Sequence, residues 1–388
     1  MKNLYRTLFW VSASVILVLT SLSVHAGNKD RAGQAAAPHL LINPWAGTSG
    51  WGSAGVSFTK GIEATFSNIA GMAFTRKTEI AYTNIQYMVG SKIMINNLGI
   101  VQNLGQTKTG GERGNIGLTV MMMSFGKISI TTESQPEGGL GTFSPSMMNL
   151  ALSYARSFSQ NIHAGAKFNL VNQNSADVSA MGFTIDLGVQ YVSGRNDQFH
   201  IGIALRNIGL PMKYKGDGMS LRSYLSNNGF ISSLLVPTEE AEMPTLLALG
   251  ISYDFLFGDK SERAAQGMKI RREDAMHRIS LAGSFIANAY SRDQISFGIE
   301  YSMLDFFQIR GGYTYEGGMF DDEAVSTSNF LGPSVGVSLL APLKKDKTMD
   351  SSIDMTKKFT SSRLAIDYSY RFTKEYRGCH AVGIRLIL

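Results

Sequence analysis

The chain has one cysteine, Cys379, in 388 residues. An internal disulfide is therefore excluded, and a lone thiol cannot build a structural zinc site. Charge is scarce at 17% of residues, against about 25% in a typical soluble domain. Beyond residue 26 there is no run of 18 or more apolar residues, which excludes helical membrane spans. Neither sign of charge dominates. The formal net charge is +6, and removing Lys2 and Arg6 with the N-terminal segment leaves +4. So mild and scattered an excess argues against nucleic acid as a partner. Catalytic constellations are missing as well. His25, His39, His163, His200, His277 and His380 are scattered without H-x-x-x-H spacing. No G-x-S-x-G elbow occurs, and the paired acids Asp321 and Asp322 sit in loop sequence. Neither an enzyme, nor a metal, nor a cofactor is expected.

What is present is an apolar share of 44%, 41 glycines and 10% aromatics, in an unusual arrangement. At the N-terminus, Lys2 and Arg6 precede an uncharged apolar stretch from Leu8 to Leu22, followed by Val24-His25-Ala26. This reads as a signal peptide, residues 1–26, cleaved after Ala26. From residue 78 onward, period-2 segments dominate. Phe183, Ile185, Leu187, Val189 and Tyr191 alternate with Thr184, Asp186, Gly188 and Gln190. Leu364, Ile366, Tyr368, Tyr370 and Phe372 alternate with Arg363, Ala365, Asp367, Ser369 and Arg371. The last strand places Val382, Ile384, Leu386 and Leu388 on one face, and Gly383 and Arg385 on the other. Segments of about ten residues with one apolar face are long enough to cross a bilayer at a tilt.

Strands are expected near 78–89, 92–101, 114–125, 146–159, 161–172, 180–193, 198–208, 244–257, 274–290, 292–303, 305–316, 331–341, 360–373 and 377–388. The fold class is thus all-β: a transmembrane antiparallel barrel of about fourteen strands over residues 78–388. An even count puts both ends in the periplasm and the long connections Gly126–Pro145, Gly209–Met243 and Gly317–Phe330 outside. Two long inward connections, Gly258–Asp274 and Pro342–Thr360, are rich in Lys and Arg. Residues 27–77 precede the barrel, and Trp45, Trp51, Phe58, Phe66 and Phe74 argue that they fold. They read as a lumen plug, or hatch. Within it, Gly50-Trp51-Gly52-Ser53-Ala54-Gly55 matches a dinucleotide fingerprint, but no strand leads into it. Tight backbone packing is the better role for Gly50, Gly52 and Gly55. By alternation Asp186, Glu300, Arg310, Glu316, Asp367, Arg371 and Arg385 face the lumen. They could line a channel or bind a ligand. Because both signs interleave, an ion-pair network bracing wall and plug is favoured.

One further pattern is one of order along the chain. Pro38-His39-Leu40-Leu41-Ile42-Asn43-Pro44, the glycine motif at Gly50–Gly55, and Ala64-Thr65-Phe66-Ser67-Asn68-Ile69-Ala70-Gly71-Met72 open it. Gly141-Thr142-Phe143-Ser144-Pro145, Ala151–Arg156, Leu205-Arg206-Asn207-Ile208-Gly209 and Leu249–Tyr253 continue it. This series resembles the PorV/PorQ family, FadL-like outer-membrane proteins of the Bacteroidota. Trp45 and Asn68-Ile69-Ala70-Gly71 depart from the family's pattern, the latter within the plug motif that Asn68 and Gly71 anchor. The resemblance implies a non-enzymatic part in type IX secretion. Its partners would be outer-membrane lipid, the translocon, a sortase-containing attachment complex and cargo signal domains, met chiefly by Gly209–Met243. The alternative is FadL-like uptake of hydrophobic small molecules, which requires an apolar pocket behind the hatch. The small or charged residues on the polar faces speak against such a pocket.

Overall fold

The computed structural model describes residues 27–388 apart from 107–110, 225–230, 259–274, 305, 321–325, 344–361 and 374–375. The expected signal peptide, the pair Asp321 and Asp322, and most of the two basic connections lie outside the described residues. The fourteen expected segments are strands with ends shifted by a few residues. They are β1 (Thr78–Tyr87), β2 (Ile93–Asn103), β3 (Asn115–Ser124), β4 (Ser146–Ser157), β5 (Ile162–Ser175), β6 (Val178–Ser193) and β7 (Phe199–Gly209). The second half comprises β8 (Leu246–Phe257), β9 (His277–Asn288), β10 (Gln294–Met303), β11 (Phe307–Glu316), β12 (Gly332–Pro342), β13 (Arg363–Arg371) and β14 (Cys379–Ile387). Each pairs antiparallel with its sequence neighbours, and β14 closes on β1 through Glu79 opposite Ile387 to Gln86 opposite His380. Closure leaves no barrel strand with an unpaired edge, as a hydrocarbon solvent requires.

The burial pattern inverts that of a soluble domain. In β6, Thr184, Asp186 and Gln190 are buried, while Phe183, Ile185, Leu187 and Val189 are exposed. The only exposed charged residue within the described barrel strands is Arg156, at the end of β4. At the bilayer midplane each cationic residue would cost about 2–4 kcal/mol, so an uncharged exterior is what lipid selects. Aromatic residues gather toward the rims, among them Tyr154, Tyr191, Phe257, Tyr315 and Phe372, where amphipathic rings suit the headgroup boundary. The chain is therefore a multi-pass outer-membrane barrel. The rim bearing both barrel ends is called here the terminal rim, and the opposite one the far rim.

Residues 36–74 pack against the inward side of the wall as short helical turns, including α1 (Ala46–Ser49) and α2 (Ala64–Ser67), while the Gly27 amide donates to Asp293 in the β9–β10 connection at 2.8 Å. Trp45, Trp51, Ile62 and Met72 are almost wholly buried there. The wall makes room for this hatch with glycine. A Cβ on Gly202 would lie 2.3 Å from the Val56 carbonyl oxygen, and one on Gly312 would lie 2.4 Å from Trp51 backbone. Hatch turns are too irregular to satisfy their own backbone, so wall side chains donate to hatch carbonyls. Lys167 donates to Thr65 at 2.8 Å, Asn115 to Met72 at 2.8 Å, Ser284 to Ser53 at 2.8 Å and Ser334 to Gly50 at 3.1 Å.

Candidate functional site: two chambers divided by a hatch

A cavity lies on each side of the hatch, and Thr48 borders both. The chamber at the terminal rim measures about 610 Å³ and is lined by Lys60, Glu63, Glu79, Arg278, Glu300, Arg310 and Arg385, among others. Here most of the inward charges meet. Arg278 and Arg310 grip the two oxygens of Glu300 at 2.9 and 3.0 Å. Arg310 also donates to the Gly47 carbonyl of the hatch. Arg385 joins Glu63 of the hatch at 3.0 Å to Asp367 of β13 at 3.4 Å. Elsewhere in the lumen, Asp186 pairs with Lys167 at 2.6 Å and accepts from the Asn207 amide at 2.7 Å. Asn207 has φ 57 and marks a bulge where β7 shifts register against β6. Glu316 accepts from the amide and hydroxyl of Thr327, at 2.7 and 2.8 Å, tying down the β11–β12 connection.

The chamber on the far side of the hatch is different. It measures about 440 Å³, and Ile42, Val56, Phe66, Tyr87, Met88, Ile93, Met123, Phe125, Met147 and Phe330 are among its lining residues. The expectation of small and charged walls throughout the lumen is thus corrected. Inward positions near the far ends of β1–β4 are methionine and aromatic, and hatch residues complete an apolar wall. Methionine is flexible and polarizable, so it conforms to irregular apolar guests. Two cations line this chamber, Arg206 and Arg371, and no carboxylate does among the described residues. Arg371 also departs from the expected ion-pair network. Its guanidinium lies 4.3 Å from the Phe330 ring centroid, and no carboxylate partner stands against it among the described residues. His39 of the hatch is buried, and burial lowers its pKa to about 4, leaving it neutral at pH 7.

The plug motif serves packing. Gly50 lies against Gly336 and the Arg310 stem, and a Cβ on Gly71 would fall 1.9 Å from the Thr59 carbonyl oxygen. Gly52, at φ +67, faces Thr314, and Gly55 faces Thr59. Asn68 caps the turn that follows and donates to the carbonyls of Val56 and Val189, both at 3.0 Å. Sequence reasoning assigned nothing to Lys167, Arg206, Arg278 and Glu63, which complete these contacts. Strand alternation already places Lys167 on an inward face, whereas Glu63 carried no periodic signal. Nor is the Gly209–Met243 connection simply a free docking arm. Met212 and Met243, at its base, are buried against Ala36, Ala37 and Leu40 of the hatch.

No protein-family model and no curated protein matches the chain. Among solved structures, it is similar to the Pseudomonas putida toluene transporter TodX, with 14% identity, 89% of this chain and 97% of that one covered, and a TM-score of 0.48. The monoaromatic hydrocarbon channel CymD gives 12% identity, coverages of 89% and 97%, and a TM-score of 0.47. A Pseudomonas aeruginosa FadL homologue gives 12% identity, coverages of 89% and 96%, and a TM-score of 0.40. These neighbours are FadL-family outer-membrane barrels, and at such identities the likeness is one of fold. Nothing among the comparisons supports the PorV/PorQ assignment or its secretion partners.

Proposed function

We propose that this barrel admits hydrophobic small molecules across the outer membrane, with its far rim facing the exterior. The observation that carries the reading is the far-side chamber, a largely apolar cavity floored by the hatch near the far rim. Its volume of about 440 Å³ falls within the range of about 300–1,000 Å³ usual for small-ligand sites. A guest would leave water, bury its surface among Met88, Met123 and Phe125, and wait on the hatch. Each buried methylene contributes about 0.8 kcal/mol. Onward passage requires the hatch to shift, because Thr48 and its neighbours separate the two chambers. A general porin fits the filled lumen poorly. The secretion role implied by the family resemblance has no specific observation in its favour, and the reading does not include it.

The test is uptake of radiolabelled toluene by cells making the protein, beside cells lacking it. Faster entry with the protein, slowed by Met123→Trp, supports the proposal. Equal entry with and without the protein sinks it.

A further inference from the structure

Resting on the transport reading, the chemistry of the far chamber narrows the guest. Arg371 is 7% exposed and lines the cavity. Its guanidinium carbon lies 4.3 Å from the Phe330 ring centroid, and no ion pair or hydrogen bond to a described residue engages its N–H groups. A guanidinium held over a ring can meet it with its face and keep its edge of donors for another partner. A buried cation without a counter-ion is costly. The terminal-rim chamber shows how this barrel ordinarily meets that cost, with carboxylates at 3.0 Å or so from Arg310 and Arg385. The hatch side of the same chamber holds a second, independent sign. His39 is 1% exposed, and neither ring nitrogen has a hydrogen-bond partner. Arg206, by contrast, donates to the Leu40 carbonyl at 3.2 Å and lies 3.9 Å from the Phe66 ring centroid, which leaves Arg371 as the cation of this chamber without an ion-pair or hydrogen-bond partner among the described residues.

We propose that the far chamber selects compact organic anions, namely aromatic or short branched carboxylates. The carboxylate rests on the edge of Arg371, and the apolar body lies among Met88, Met123 and Phe125. A carboxylate matches the fork of one guanidinium with two parallel hydrogen bonds. A phosphate dianion would call for more donors than one unpaired arginine edge supplies. An ammonium compound would meet two arginines and, among the described lining residues, no acid. The cavity's size favours a single ring over a long chain.

The experiment is calorimetric titration of the full-length protein in detergent micelles with benzoate, its neutral counterpart benzamide, and toluene. Wild type is expected to bind benzoate at least tenfold tighter than benzamide. In R371Q the ratio of benzoate to toluene affinity falls at least tenfold, and R371K restores part of it. The benzoate-to-benzamide ratio needs no variant, so it decides the matter even if R371Q does not fold. Toluene binding with benzoate no tighter than benzamide overturns the anion preference and leaves the transport reading standing. Failure of all three probes to bind overturns both.

Discussion

The two chambers share one barrel and one hatch, yet they handle charge in opposite ways. On the terminal side, Arg278, Arg310 and Arg385 are each within 3.0 Å of a carboxylate oxygen on wall or hatch. On the far side, Arg371 lines an apolar cavity with no acid in its lining among the described residues, while Arg206, also in that lining, donates to the Leu40 carbonyl at 3.2 Å. The first arrangement is a fastening: two of its arginines reach from the wall to Glu63 and to the Gly47 carbonyl of the hatch. The second leaves the donors of Arg371 without an ion-pair or hydrogen-bond partner among the described residues, which is how a binding site differs from a brace. Charges that complete one another hold a structure together, whereas charges left open can recognise something else.

If this contrast is right, the largest effect should come from the fastening. Arg385→Ala leaves Glu63 and Asp367 in the lumen without their shared cation. It should cost about 3 kcal/mol or more, read as a lower midpoint for heat-induced unfolding by gel mobility. A midpoint within a degree or two of wild type would dissolve the distinction between the chambers. Gly71→Ala comes next. Its Cβ would fall 1.9 Å from the Thr59 carbonyl oxygen, and such overpacking costs about 1–3 kcal/mol. Thermal unfolding should show the loss, with the barrel's strand signature in circular dichroism preserved. Trp45→Phe is milder. It removes the Nε1–H donated to Thr65 at 2.9 Å, a loss of about 1 kcal/mol, measurable in the same assay.

The smallest effect at neutral pH concerns His39. Its folded pKa of about 4 lies below the ordinary 6.5, so an opened hatch, in which His39 regains the ordinary value, takes up a proton at a pH where the closed one does not. Above 6.5 the residue is neutral in both states and adds no pH dependence. As pH falls from 6.5 toward 4, the opened state takes up a proton that the closed one refuses, and stability declines. Proteolysis of the hatch should therefore accelerate over that window in wild type and change less in His39→Gln. An unchanged acid sensitivity in the variant would remove His39 from the account.

Legibility in the sequence followed periodicity. The alternation of Phe183 to Tyr191 placed β6 almost to the residue, because every lipid-facing position from Met181 to Tyr191 is apolar. The pairing of Arg385 with Asp367 could be read from their places on neighbouring strands. The hatch was visible through its tryptophans and glycines. Its path was not, since turns such as Gly61–Glu63 have no repeat, and nothing local directs Glu63 toward Arg385 over 322 residues of chain. The apolar far chamber was misjudged for a related reason. Met88, Ile93 and Phe125 sit at strand ends and turns, where alternation no longer says which way a side chain faces.

By itself, then, the sequence determined that this chain is a closed antiparallel barrel with its polar faces inward. The solvent outside imposes that pattern at every second residue, so it is written locally. Only the tertiary structure decided which inward charges are spent on one another and which stay open. That depends on strand register and on where the hatch crosses the lumen. Both bring together residues far apart in the chain, and it is there that Arg385 finds its acids while Arg371 finds an aromatic ring and a cavity.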